Sequence, residues 1–180
     1  MGRTRANRTI QGSLSVDGIN KIISEIEKYK SDIYTLQDRF VRRLMSRGYE
    51  VARAYIQYAE MTADEDKPIG TLDIITDSTG EVSSCSLVFE GNQVLFVEFG
   101  AGITYNEGDP HPMAGQFGYG VGTFPHQKHA NDKNGWSYYG NDDHWHHTKG
   151  TEATMPMYNA SLKIRQDILQ VAKEVFGSVK

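Results

Sequence analysis

Val94-Leu95-Phe96-Val97-Glu98-Phe99-Gly100-Ala101-Gly102 is the stretch on which the reading of the fold turns. A short, nearly unbroken apolar run that stops at Gly-x-Gly reads as a β-strand ending in a turn. After it the aliphatic residues all but cease: from Thr104 to Gly150 the only Ile, Leu or Val is Val121. That same segment carries all six histidines, both tryptophans, eight aromatics in total and eight glycines. Ordering a backbone costs roughly 1–2 kcal/mol per residue, and a segment without aliphatic side chains cannot offset that by packing on itself. A loop of this length in a compact domain is usually functional or disordered, and this one is too aromatic for a simple disordered linker. It is expected to be a surface arm, held from outside and built to touch a partner.

Two further strand patterns precede this run, Thr71 to Thr76 and Val82 to Phe89. Asp77-Ser78-Thr79-Gly80 and Gly91-Asn92 supply hairpin turn chemistry between the three. Together they predict an antiparallel meander. Upstream, Gln11 to Val16 alternates weakly, as a short strand would. Asp17 is a plausible N-cap for a helix whose stripe is Ile19, Ile22, Ile23 and Ile26, an i, i+3, i+4, i+7 spacing that predicts burial. Ser31 or Asp32 opens a second helical pattern with Ile33, Leu36, Phe40 and Leu44, and Gly48 stands where a helix C-terminus favours glycine. A third pattern runs through Val51, Tyr55 and Tyr58 with Ala52, Ile56 and Ala59; the sequence leaves open whether Gly48 breaks or bends the helix. Thr62 to Gly70 is a charged break. Thr154 and Pro156 open a last helix, with stripes Leu162-Leu169-Ala172-Phe176 and Ile164-Ile168-Val171-Val175. The fold class predicted is α+β: N-terminal helices, an antiparallel meander and a C-terminal helix, with a long aromatic, histidine- and glycine-rich loop inserted before that helix. Residues 1–12 read as a basic flexible arm carrying Arg3, Arg5 and Arg8. Residues 13–180 read as a single domain with the extended loop at about 103–153.

The 180 residues carry a formal net charge of −4, which argues against a dedicated nucleic-acid binder with a basic face. One cysteine, Cys85, excludes an intramolecular disulfide framework and a cysteine-based zinc site in one chain. Its place in a strand pattern suits a small buried hydrophobe. No apolar leader opens the sequence and no apolar run is long enough to span a bilayer, so the chain is expected to work in water, without a membrane partner, in a reducing cytoplasm or in something assembled there.

His126 and His129, with His144, His146 and His147, lie near Asp132, Asp142 and Asp143, and imidazole with carboxylate suits zinc and similar metals. No two of these histidines take a recognised ligand spacing on a predicted helix, so they are read as interface side chains and no metal or other cofactor is expected. A metal-dependent nuclease built on them is the enzymatic alternative, and it would want a basic substrate surface that the composition lacks. Glu98 inside its apolar run has the look of a buried acid; on a period-2 strand it faces away from Leu95, Val97 and Phe99. Gly118-Tyr119-Gly120-Val121-Gly122 follows no strand and opens no helix, so it is no phosphate cradle. No nucleophile elbow or carboxylate pair stands out, and no catalytic residue is assigned. The aromatics point to binding, since Tyr and Trp present a large rigid face with one polar tip. The interface candidates are Tyr105, Phe117, Tyr119, Phe124, Trp136, Tyr138, Tyr139 and Trp145. A carbohydrate-binding module would use similar side chains, normally on a β-sandwich.

Phe96-Val97-Glu98-Phe99-Gly100-Ala101-Gly102 resembles the aliphatic–Glu-Phe-Gly-Thr-Gly signature of the tail-completion, or head–tail joining, proteins of long-tailed bacteriophages. Pro68-Ile69-Gly70-Thr71-Leu72 is similar to the family's Pro…Gly-x-Leu step, and Gly135-Trp136-Ser137-Tyr138 to its Gly-Trp-x-Tyr element. Lys149-Gly150, Ala153 and Pro156-Met157-Tyr158-Asn159-Ala160 are similar to its entry into the last helix. The match runs in order over roughly residues 13 to 176, with Ala101 in place of the usual Thr and Met157 in place of Phe. The resemblance implies a non-enzymatic virion protein of the neck or tail end, assembled in the host cytoplasm. It implies a ring, of six copies by analogy with tail tubes, against a tail terminator, tail tube or head-closure protein. DNA would then pass through its channel without specific contact.

Overall fold

The computed structural model describes residues 10–62, 69–79, 81–106, 111–119, 128–129, 131–140 and 142–177. The architecture is α+β. Helix α1 (Val16–Thr62) is followed by strands β1 (Thr71–Thr79) and β2 (Val82–Glu90) and a short helix α2 (Val94–Phe99). After a 3-10 turn at Ala114–Phe117 come β3 (Trp136–Tyr139), β4 (Trp145–Thr148) and the last helix α3 (Pro156–Phe176). The sheets are two separate two-stranded hairpins, β1–β2 and β3–β4. The basic residues Arg3, Arg5 and Arg8, most of the charged break at 63–68, Gly80, Phe124 and His126 lie outside the described residues.

Three local expectations are corrected. The separate N-terminal helical patterns form one continuous helix, α1. Gly48 is buried within it and takes no left-handed φ. Leu44, Gly48, Ala52, Ile56 and Ala59 recur on one face, all buried, and burial of that stripe outweighs the roughly 1 kcal/mol that a mid-helix glycine costs. The weak alternation at Gln11 to Val16 is no strand; the chain is irregular there until α1 begins. Most consequentially, Val94–Phe99 is helical and not the third strand of a meander. Val97, Glu98 and Phe99 are buried in succession. A half-buried strand would turn every second one of them to solvent; one turn of embedded helix admits all three. Gly100, at φ +79, ends that turn, and its N–H is donated to the Phe96 carbonyl at 2.7 Å.

Two compact units divide the chain. The first draws on residues 1–48, 74–87 and 163–180. Its core is Leu36, Leu44, Val171 and Val175, flanked by Phe40, Met45 and Phe176. Arg43 pairs with Glu174 at 2.9 Å across the two helices, and Phe40 meets Phe176 at 5.6 Å between ring centroids. The β1–β2 hairpin docks on α1 through Arg42 to Thr76, Ser78 to Asp38, and Lys30 to Glu81 at 2.6 Å. The Arg42 guanidinium, chiefly by its hydrogen bond, lowers the Asp38 carboxyl below its ordinary range. These contacts are exposed and fix register more than they add stability. Cys85, half-buried on β2, has its thiol pushed up by desolvation. The expected burial of the Ile19, Ile22, Ile23, Ile26 stripe is not found: Ile19, Ile23 and Ile26 are 44%, 48% and 51% exposed. On α3, Leu169 is likewise open at 74%.

The second unit comprises residues 49–73 and 88–162. Ala59 of α1, Ile69 and Val97 of α2 form its apolar centre, with Phe89 packed against them. Beyond that centre, rings gather around Phe99, and the buried polar side chains Glu98, Asn106 and His111 tie segments together.

Leu44→Ala should lower unfolding stability by about 3 kcal/mol, as deletions in filled cores do. Ile23→Ala on the open stripe should change it by under about 0.5 kcal/mol. Chemical denaturation of both variants checks the assignment, and equal losses would refute it.

Candidate functional site

Helix α3 begins without a side-chain cap of its own. The Asn159 N–H reaches the Met155 carbonyl at 3.0 Å, which makes Met155 the cap position, and a methionine offers no oxygen to the free N–H groups of the first turn. Pro156, next in line, has no N–H to satisfy. Glu98 supplies what is missing. Its Oε2 accepts from Met157 N at 2.9 Å and its Oε1 from Tyr158 N at 2.8 Å. A carboxylate at a helix N-terminus also meets the positive end of the dipole.

His111 completes the arrangement. The N–H of Met113 points at His111 Nδ1 at 3.1 Å, so Nδ1 is the acceptor and the ring proton sits on Nε2. Nε2–H then donates to Glu98 Oε1 at 3.2 Å, with both side chains buried. Phe99 and Tyr158 hold the imidazole at centroid distances of 4.4 and 5.2 Å. Every described contact of this carboxylate is therefore structural, and His111 is spoken for at both nitrogens.

A second buried amide ties the two ends of the long loop. Asn106 Nδ2 lies 3.0 Å from the Gly102 carbonyl and 2.9 Å from that of Thr151, and its Oδ1 accepts from Ala153 N at 3.0 Å. Ala101 and Thr151 exchange backbone bonds at 2.9 Å in both directions. Two glycines are required by close approach: a Cβ on Gly102, at φ +73, would stand 2.9 Å from the Trp136 ring, and one on Gly150 would overlap the Ala101 carbonyl oxygen. The segments singled out in sequence, Glu98 to Gly102, Gly135-Trp136, Lys149-Gly150 and Pro156 to Tyr158, thus meet in one place.

The β3–β4 hairpin stands on this base. Its register pairs Trp136 with Thr148, Ser137 with His147, Tyr138 with His146 and Tyr139 with Trp145. Opposed residues share a face. One face carries Trp136, Tyr138, His146 and Thr148, and Trp136 is half-buried over Gly102. Tyr138 stacks on His146 at 5.4 Å. The other face carries Ser137, Tyr139, Trp145 and His147, all exposed. Tyr139 and Trp145 meet edge to face at 5.6 Å and remain 57% and 71% exposed. Asp142 closes the hairpin by accepting from His146 Nε2 at 2.9 and 3.0 Å, and this contact, first among the causes, lowers its carboxyl below the ordinary range. His147 Nε2 reaches the Asn134 carbonyl at 2.9 Å.

The sequence-derived interface candidates are therefore not one patch. Tyr139 and Trp145 share an open face; Tyr138 lies on the opposite face with Trp136. Phe117 and Tyr119 gather around Phe99, at 5.6 and 4.2 Å, with Phe117 largely exposed and Tyr119 half-buried. Tyr105 is exposed on the loop, and Phe124 lies outside the described residues. Glu98, expected to face away from the packed side of a strand, is buried, because the strand is a helix. Asn106 escaped sequence reading altogether, since one Asn in a polar loop carries no signal. Among the described residues no group of three or more His, Cys, Asp or Glu is placed to hold a metal ion, and no helix is long and apolar enough to cross a membrane. No family model, no curated protein and no solved structure matches the chain.

Glu98→Ala leaves two α3 N–H groups and His111 without their buried acceptor and should cost about 3 kcal/mol or more. Glu98→Gln, which keeps one oxygen, should cost less. Thermal unfolding of the pair checks this, and an Ala variant as stable as wild type would overturn the remote-cap assignment.

Proposed function

We propose that this chain is a non-enzymatic structural protein of a long-tailed bacteriophage virion, completing the tail and joining it to the head as a ring in the neck. The observation that carries the reading is the convergence on the Glu98–Gly102 segment, with the α3 start at Glu98 and Trp136 and Gly150 at Gly102 and Ala101. Three of the segments that resemble the tail-completion signature, together with Glu98 to Gly102, are far apart in sequence yet have packing or capping roles around α2 and the crossing of 101–102 with 150–151, while Ile69 of the remaining one packs with Val97. Roles of this kind serve shape, which supports a structural reading.

The open Tyr139–Trp145 face is the surface assigned to a tail terminator, tail tube or head-closure protein. Large aromatics with few rotatable bonds lose little entropy on docking and dominate interface energies. The net charge of −4 suits a ring through which DNA passes without being gripped. Six copies follow from the analogy with tail tubes, and a head-to-tail contact closes whenever the rotation per copy divides a full turn.

Electron microscopy of the protein mixed with tail tubes lacking their head-proximal end tests the proposal: end-on ring density is expected, and tubes that stay bare refute it. Trp145→Ala should weaken that attachment by about 2 kcal/mol, roughly thirtyfold, and leave the melting temperature unchanged. Trp136→Ala should lower the melting temperature, because its ring covers Gly102.

A further inference from the structure

Two adjacent residues at the start of α3 sit in unfavourable states. Met155 holds φ +55, in the left-handed region. Among the described residues Asp143 is the other non-glycine there, and a short polar side chain in a hairpin turn tolerates that conformation. Methionine has no such compensation. Beside it, Thr154 is 6% exposed, and its Oγ1 is the one buried side-chain atom without a hydrogen-bond partner among the described residues. An unpaired buried hydroxyl is destabilising. Threonine is also among the residues that cap helices best, and Thr154 stands one residue before the cap position that Met155 occupies.

One local rearrangement removes both penalties. If α3 began one residue earlier, Thr154 would be its N-cap, and Met155, Pro156 and Met157 its first three helical residues. An N-cap side chain accepts from the third helical N–H, and its carbonyl takes the first intrahelical bond, from the fourth. Thr154 Oγ1 would then receive the Met157 N–H, and the Thr154 carbonyl the Tyr158 N–H. These are the two groups that Glu98 now holds at 2.9 and 2.8 Å. The Asn159 N–H keeps its bond to the Met155 carbonyl in both arrangements. Pro156 lies in the first turn either way, where no N–H is required of it. The opposing effect is local too: a residue before proline resists the right-handed helical region, so Met155 stays outside the helix while Glu98 supplies the acceptors. The Thr154 and Met155 N–H groups both point at the Val97 carbonyl, at 2.9 and 3.3 Å, which ties the choice to α2.

We propose that the start of α3 is a two-position switch: capped remotely by Glu98 as observed, and capped by Thr154, one residue longer, when α2 withdraws its carboxylate. Thr154 is thus a reserve cap. Detachment of α2 and of the His111 segment leaves α3 with both first-turn N–H groups satisfied, and the segment reseats without α3 having frayed. His111 has no described substitute for Glu98, so the remote cap is the resting position and loss of Glu98 stays destabilising. The switch is independent of the joining-protein reading and requires neither a ring nor a tail tube.

A double-mutant cycle on the full chain, read by denaturant unfolding, tests it. Thr154→Val replaces the hydroxyl by a methyl of similar shape. In wild type it should shift the equilibrium toward the folded state by roughly fivefold, because an unpaired buried group is removed. In the Glu98→Ala background it should shift the equilibrium the other way by roughly fivefold, because the cap in use is lost. Nuclear magnetic resonance gives a second readout: the Met155 backbone carbon shifts should move to right-handed helical values in Glu98→Ala. Should that variant not fold, Glu98→Gln takes its place in both measurements, with the same reversal of sign required. A Thr154→Val effect of one sign in both backgrounds, or a Met155 that keeps its positive φ once the Glu98 carboxylate is gone, overturns the proposal.

Discussion

The second unit depends on one carboxylate. Glu98 is taken out of water by α2 and is tolerable there only because three donors meet it, the Met157 and Tyr158 N–H groups and His111 Nε2–H. A buried charge without such partners would cost several kcal/mol. The requirement runs in both directions. Helix α3 starts at a methionine and a proline and needs an acceptor from elsewhere, and His111 needs a partner for its one ring proton. The carboxylate therefore fixes three otherwise independent things: the end of α2, the start of α3 and the seat of the 111–119 segment.

The same constraint explains which parts of the fold were legible in the sequence. Long amphipathic patterns announced α1 and α3, and alternation announced β1 and β2, because many residues repeat one message. Val94–Phe99 misled because a short apolar run fits a strand or a buried helix equally. What decided it was the distant α3 N-terminus, which no local window contains. Gly48 is left open by the sequence for a related reason. Glycine after a run of arginines is a C-terminal signal only if the chain has nothing to gain by continuing, and Leu44, Ala52 and Ile56 gave it a face to continue. Asn106 was invisible, since its hydrogen-bonding partners are all backbone groups, two of them on the distant 151–153 stretch.

Segment 103–153 was legible in kind but not in its division of labour. Among the described residues its ties to the rest of the unit are polar: Asn106 on the crossing of 101–102 with 151–153, and His111 on Glu98. Trp136 belongs with these supports, being laid over a glycine that no other residue could replace. Tyr139 and Trp145, on the opposite face of the hairpin, meet each other and stay 57% and 71% exposed. The alternation of a strand places the two roles on adjacent residues, so a sequence rich in aromatics reads as one patch while the structure sorts it into anchors and free faces.

That sorting bears on how an interaction surface can be kept without aliphatic packing beneath it. An exposed tryptophan on a mobile loop would lose on docking much of what its contact gains, because ordering the backbone costs about 1–2 kcal/mol per residue. Here the ordering is largely done in advance by the four-residue register of β3 and β4, by Asp142 closing the turn through His146, and by Trp136 at the base. Two histidines fit this account: His146 closes the hairpin turn on Asp142 and stacks on Tyr138, and His147 braces the strand against Asn134. Imidazole contacts of this kind brace a hairpin in a segment that has almost no aliphatic residues to rigidify it.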